Sequence, residues 1–193
     1  MIIQFCGLSG AGKTTLARLT EKELTRRGYT VEIIDGDYYR ETLCKGLGFS
    51  KEDRKENLRR MSFVAAQLSK HGIISIICAI NPFEETRKEI SRQYANVKTV
   101  FVDCTLSALR TRDPKGLYRK AFLPDDHPEK IKNLTGVNDI FEIPQNPDLH
   151  IQTDKENVFD CMNRIVQLVE QNISLRSGQA ITRDFNSELF KAG

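Results

Sequence analysis

Three features of the 193-residue sequence predict an α/β fold, one parallel sheet of about five strands with helices on both faces. Short apolar runs alternate with amphipathic stretches of helical period, the pattern of strand–helix–strand units. One run, residues 73–80, is apolar almost throughout, as a strand covered on both faces must be. The first run leads straight into Gly7-Leu8-Ser9-Gly10-Ala11-Gly12-Lys13-Thr14, a glycine-rich loop set between a strand and a helix. The length suits one domain with a full core.

Taken in order, residues 2–6 form a buried strand and residues 14–27 a helix with Leu16, Leu19 and Leu24 on one side. A second strand at 29–34 runs into Asp35-Gly36-Asp37. A short helix at 38–44 is ended by Gly46 and Gly48. The next helix starts at Ser50, an N-cap with Asp53 three residues on. It carries Leu58, Met61, Val64, Ala65 and Leu68 at helical spacing until His71-Gly72. Asn81-Pro82 stops the strand at 73–80, and a polar helix follows at 84–94. Residues 97–103 read as a buried strand and 106–112 as a helix. Residues 113–147 hold most of the prolines and few periodic apolar positions. A stretch of that length is expected to be a lid or binding segment. A weak last strand at 149–151 and an amphipathic helix at 156–169 complete a domain of residues 1–173. Residues 174–193 carry no motif and are expected to be a tail of unknown role.

The loop fits the phosphate-binding P-loop pattern in the setting that pattern requires. Its glycines let successive N–H groups turn inward onto a phosphate, and the helix behind it adds its unpaired amides and positive dipole end. Lys13 is placed to reach the β- and γ-phosphates, and the Thr14 hydroxyl to bind the Mg²⁺ that accompanies ATP. A nucleoside triphosphate is therefore the expected ligand. In a parallel sheet, ligands gather beyond the carboxyl ends of the strands. The loops at 7–14, 35–40, 79–84 and 103–116 should thus face a common cleft. Asp35 and Asp37 stand at one of those mouths, where a carboxylate can orient or deprotonate an acceptor hydroxyl. A turn with a helix cap is the other reading of that pair. Within the basic cluster of Arg40, Lys51, Arg54, Lys55, Arg59 and Arg60, Arg40 and Arg54 are selected as anion ligands. The others are expected to be solvated and paired. Phe49 either stacks on a base or packs against its own helix as a staple.

Composition narrows the partners. A net charge of +3 is too mild for nucleic acid and suits small polyanionic ligands. No apolar run reaches the 18 residues of a membrane span. With a strand expected from Ile2, no charged leader is expected. Five cysteines without a C-x-x-C pair suggest free thiols in a reducing cytoplasm. No metal beyond the nucleotide's own Mg²⁺ is expected.

These residues resemble the adenylyl-sulfate kinase family. The matching segments are the P-loop through Thr15, Asp35-Gly36-Asp37-x-x-Arg40, and Leu47-Gly48-Phe49-Ser50-x-x-Asp53-Arg54-x-x-Asn57. Asn81-Pro82-Phe83, the run from Arg112-Asp113-Pro114-Lys115-Gly116 to Ala121, and Thr135-Gly136 follow in the family's order. The resemblance implies a nucleoside-kinase-like three-layer sandwich with a mobile lid. It implies transfer of the γ-phosphoryl group of ATP to the ribose 3′-hydroxyl of adenylyl sulfate, and a homodimer. Carried over by position, Asp37, Lys13, Asp35 and Lys115 become the catalytic set. Gly7, Ser9, Gly10, Ala11, Gly12, Lys13, Thr14, Thr15 and Arg112 become the ATP contacts. Asp37, Arg40, Phe49, Arg54, Asn57, Ile80, Lys115 and Leu134 become the acceptor contacts. The departures fall on the acceptor side and the lid: Leu134 where the family has a second aromatic ring, Asn81 and Phe83 in place of Ser and Tyr, Tyr38 and Glu41, and residues 122–128. They keep two other readings open: the same chemistry on another activated nucleotide such as cytidine diphosphoramidate, and a nucleotide-binding regulator without turnover.

Overall fold

The computed structural model describes the backbone of residues 1–189 and the side chains of residues 1–173. Its strands are β1 (Ile2–Cys6), β2 (Val31–Asp35), β3 (Ile74–Cys78), β4 (Val97–Asp103) and β5 (Leu149–Gln152). They form one sheet in the order β2-β3-β1-β4-β5, every pair parallel. The helices are α1 (Lys13–Arg26), α2 (Gly36–Glu41), α3 (Lys51–Lys70), α4 (Glu84–Gln93), α5 (Leu106–Arg112), α6 (Leu117–Ala121) and α7 (Val158–Leu189).

Strand side chains alternate between the faces, and the core divides accordingly. Ile3, Phe5, Ile76, Val100 and Val102 pack with Leu16 and Leu24 of α1 and Cys161, Ile165 and Val169 of α7. Ile2, Ile34 and Ile77 pack on the other side with Leu58, Met61 and Ala65 of α3 and Ile90 of α4. The three layers that alternation predicts are present, with the first strand at the centre.

The helix starts follow local chemistry. The Ser50 hydroxyl accepts from the Asp53 N–H at 3.1 Å, the capping interaction expected from the spacing. Asp35 caps α2 by accepting from Asp37 N at 2.9 Å, so that helix begins two residues earlier than its apolar pattern suggests. The third strand ends at Cys78, short of residue 80, because the Ile80 carbonyl turns to accept from Gly7 N at 3.0 Å. Within the expected irregular stretch, α6 forms because the Asp113 carboxylate accepts from the N–H groups of Tyr118 (3.1 Å) and Arg119 (2.9 Å). The last helix starts at Val158 behind Asn157, whose side chain accepts from Phe159 N at 2.8 Å, and continues to Leu189. The role of residues 174–193 falls on side chains outside those described, and residues 190–193 lie outside altogether.

Gly7, the first residue of the glycine-rich loop, has φ +149°, and a Cβ added there would sit 2.1 Å from the Val102 carbonyl oxygen of the neighbouring strand. Neither backbone can yield without breaking the sheet. Gly7→Ala is expected to lose at least about 3 kcal/mol of stability in urea unfolding; a loss near zero would show that β4 can shift aside.

Candidate active site

The carboxyl ends of β1, β2 and β3 open onto one cavity of about 280 Å³. Its lining joins P-loop residues Ser9, Gly10, Gly12, Lys13, Thr14 and Thr15 to Asp35, Asp37, Arg40, Phe49, Arg54 and Asn57. Ile80, Pro114 and Lys115 complete the enclosure.

The loop is built to leave amides free. Gly12, at φ +100°, begins α1 with no side-chain cap and no acidic residue in the first turn. The orphan N–H groups of that turn are thus available to an anion. The loop is braced from outside. Tyr118 of α6 donates its hydroxyl to the Ser9 carbonyl at 2.8 Å, and Thr153, just past β5, donates to the Ala11 carbonyl at 2.8 Å. Burial pushes the Tyr118 phenol up, so it stays a proton donor. Lys13 curls back, its Nζ donating to the carbonyls of Gly7 (2.8 Å) and Leu8 (2.7 Å). Burial of that ammonium lowers its pKa to about 8. The nearby Cys6 and Cys78 offer no counter-charge, because burial raises both thiols to about 12.

Across the cavity, the Asp35 carboxylate accepts from the Thr14 hydroxyl at 3.2 Å and caps α2 with its other oxygen. The cap expected of this pair thus falls to Asp35, which also touches the phosphate loop, a contact the sequence did not suggest. A hydroxyl and a carboxylate side by side are hard oxygen donors, the chemistry that suits Mg²⁺. Asp37 is 75% exposed and ion-paired with Lys115, which reaches in from the lid. Arg40 donates to the Gly48 carbonyl at 2.8 Å and has no carboxylate partner among the described residues. Burial, and then the charge of Arg54, lower its pKa. Arg54 is only 7% exposed. It donates to the carbonyls of Phe49 and Asn133 and pairs with Asp139 at 3.0 Å. Both guanidiniums lie over the Phe49 ring, at 4.6 and 5.4 Å from its centroid. The result is a positively charged wall with an aromatic surface, suited to a nucleotide carrying an anionic tail.

Not every candidate meets the cavity. Gly7 and Ala11 are buried beneath the loop and contribute backbone. Arg112 lies on the outer side, donating to the Thr153 carbonyl at 2.7 Å and its hydroxyl at 3.2 Å. Leu134 does not line the cavity: it is 6% exposed and belongs to the main core. An apolar side chain at that position gains more by facing the core than the open site. Thr153, Tyr118 and Asp139 escaped the sequence reading. Thr153 lies just beyond a strand's carboxyl end, the one signal that could have found it.

A P-loop facing a carboxylate and a basic, aromatic-lined acceptor wall, on a parallel α/β sheet, defines a P-loop kinase of small nucleotides. The sequence pattern of the adenylylsulphate kinase family matches residues 1–152, and the chain belongs to that family. It is 47% identical over 165 residues to an adenylyl-sulfate kinase of Deinococcus deserti, covering 86% of this chain and 88% of that one. Identity to the corresponding Chloroflexus aurantiacus protein is 45% over 171 residues, 89% of each chain. The structure also resembles that of the Mycobacterium tuberculosis APS kinase CysC in complex with AMPPNP and APS. There the TM-score is 0.80 at 36% identity, over 88% of this chain and 96% of that one.

The buried Lys13 sets a pH dependence. Burial lowers its pKa to about 8, whereas bound phosphates favour the charged form and raise it. Nucleotide binding at and above pH 8 must therefore take up a proton. Affinity for ATP should fall as pH climbs through that range, by at most about tenfold per unit. Calorimetry at pH 8.5 in two buffers of different ionisation enthalpy should register the uptake; identical heats would contradict it.

Proposed function

We propose that the chain transfers the γ-phosphoryl group of ATP to the ribose 3′-hydroxyl of adenylyl sulfate, giving 3′-phosphoadenylyl sulfate and ADP. The observation that carries the reading is that Lys13, Thr14, Asp37, Arg40 and Arg54 open onto a single cavity. Donor phosphate and acceptor alcohol can thus meet without a domain having to be assembled around them. Thr14, with Asp35 behind it, would hold the Mg²⁺ of MgATP, which supplies neutralising charge to the β- and γ-phosphates.

The residues divide the work. The loop amides and Lys13 hold the phosphates. Asp37 takes the proton of the 3′-hydroxyl as the oxygen forms its bond to the γ-phosphorus. The bond from that phosphorus to the β–γ bridging oxygen breaks, and ADP leaves with the electron pair. Lys115, which pairs with Asp37, brings a positive charge from the lid to the phosphates. Arg40, Arg54 and Asn57 grip the phosphosulfate end and ribose, and Phe49 carries the base. Arg112 serves the base of ATP. We place the enzyme in sulfate activation and read it as a cytoplasmic homodimer, on the family resemblance. Among the described residues no helix is long and apolar enough to cross a membrane.

Leu134 gives the rival acceptor a specific argument. With its side chain in the core, Phe49 is the only aromatic ring lining the cavity among the described residues. A pyrimidine nucleotide such as cytidine diphosphoramidate needs less stacking surface. Assayed side by side, adenylyl sulfate should be the better acceptor by kcat/KM. Preference for the cytidine compound would reassign the acceptor, and turnover of neither would leave a binding protein. Asp37→Asn should lower kcat by about 10²–10⁴-fold while leaving ATP affinity nearly unchanged. Near-normal turnover would remove Asp37 from the mechanism.

A further inference from the structure

One wall of the cavity, residues 79–82, is held in a conformation that the chain would not adopt unaided. Asn81 has φ +47°, in the left-handed region that Asn tolerates better than most L-residues, but it precedes Pro82, which pushes its predecessor towards extended geometry. Such a residue persists only where its surroundings over-determine it.

The restraint is a polar network centred on a buried arginine, whose side chains other than that of Asn81 lie outside the cavity lining. Arg87 of α4 is 2% exposed. Its Nη1 donates to the Asn81 carbonyl at 2.6 Å and its Nη2 to the Glu142 carbonyl at 2.6 Å. Glu84 supplies the counter-charge, one carboxylate oxygen accepting from Nε at 3.0 Å and Nη2 at 2.8 Å. Glu142 closes the loop, donating its N–H to the Pro82 carbonyl at 2.9 Å and accepting from Glu84 N at 2.6 Å. From the sheet side, Gln4 of β1 donates to Thr99, Ser91 and the Arg87 carbonyl. Its amide is thereby oriented with the oxygen towards Asn81, whose Nδ2 donates to it at 3.1 Å. Both neighbours of Asn81 are tied as well, Pro82 to Glu142 and Ile80 to Gly7.

We infer that Arg87 is a positioning residue for the acceptor: acting through Asn81, it holds residues 79–82 in the shape that completes the acceptor cavity. The task needs an arginine, because only a planar fork reaches two carbonyls and a carboxylate at once. This inference rests on the acceptor reading given above. A residue that merely stabilised the fold would affect both substrates alike, and Arg87 should not.

The test is steady-state kinetics of the full chain with ATP and adenylyl sulfate varied in turn, for wild type, Arg87→Lys and Glu84→Gln. Arg87→Lys should raise the KM for adenylyl sulfate roughly tenfold and leave that for ATP within about twofold. Glu84→Gln, which keeps the shape but removes the counter-charge, should raise the acceptor KM about threefold with the same selectivity. It decides the matter if the lysine variant does not fold. Both KM values rising together, or neither moving in a folded variant, overturns the inference while leaving the proposed reaction standing. A wild-type enzyme that does not phosphorylate adenylyl sulfate removes the acceptor assignment, and this inference with it.

Discussion

The molecule depends on one constraint: a loop of backbone amides must stay open, uncapped and rigid at the end of the central strand. Gly12 starts α1 without a side-chain cap, so the hydrogen-bonding capacity a soluble helix usually fills from within is kept for a ligand. The Lys13 ammonium donates to its own loop's carbonyls. It is a desolvated charge with no ion-pair partner among the described residues, Asp37 acting on it only from a distance, and an arriving polyphosphate supplies the counter-charge. The sheet under Gly7, the Tyr118 hydroxyl and the Thr153 hydroxyl each fix one part of the loop. The braces come from the strand beside it, the lid and the last strand, so most of the fold converges on those few peptide units.

The acceptor side follows a complementary logic. Burial, and then the nearby Arg54, disfavour the charge on Arg40, and both guanidiniums share the Phe49 ring. Asp139 compensates Arg54 only. A surplus of positive charge beside an aromatic ring recognises a nucleotide with an anionic anhydride better than a neutral sugar. Exposed and half-buried basic residues nearby show the contrast: Arg59 pairs with Glu89, Arg60 with Glu56, and Lys51 and Lys55 with Glu85. Those form a solvated helix face, and their charges are already neutralised.

What was legible in the sequence was local. Short apolar runs marked five strands, and the Ser50 cap, the glycine loop and the strand-end carboxylates are all signals contained within a few residues. What was hidden depends on pairs far apart in the chain. Thr153 and Tyr118 reach the P-loop across more than 100 residues of sequence, and neither residue type signals a brace by itself. Arg87 sits in a polar helix where it reads as one more solvated charge, yet it is buried because the loop at 139–144 folds over it. Leu134 illustrates the reverse: family position argued for the cavity wall, and the side chain's own hydrophobicity took it into the core. The helix Leu117–Ala121 was missed because its initiating carboxylate, Asp113, lies in a segment whose prolines and glycine suggest no regular structure.

The central claim is that a phosphoryl group passes from the loop to a sugar alcohol facing Asp37, and the position of the new phosphate tests it most directly. Phosphorus NMR of the product formed from ATP and adenylyl sulfate should show a single new monoester on the ribose 3′-oxygen, in step with ADP. Release of inorganic phosphate without that ester, or an ester at another oxygen, would contradict the account.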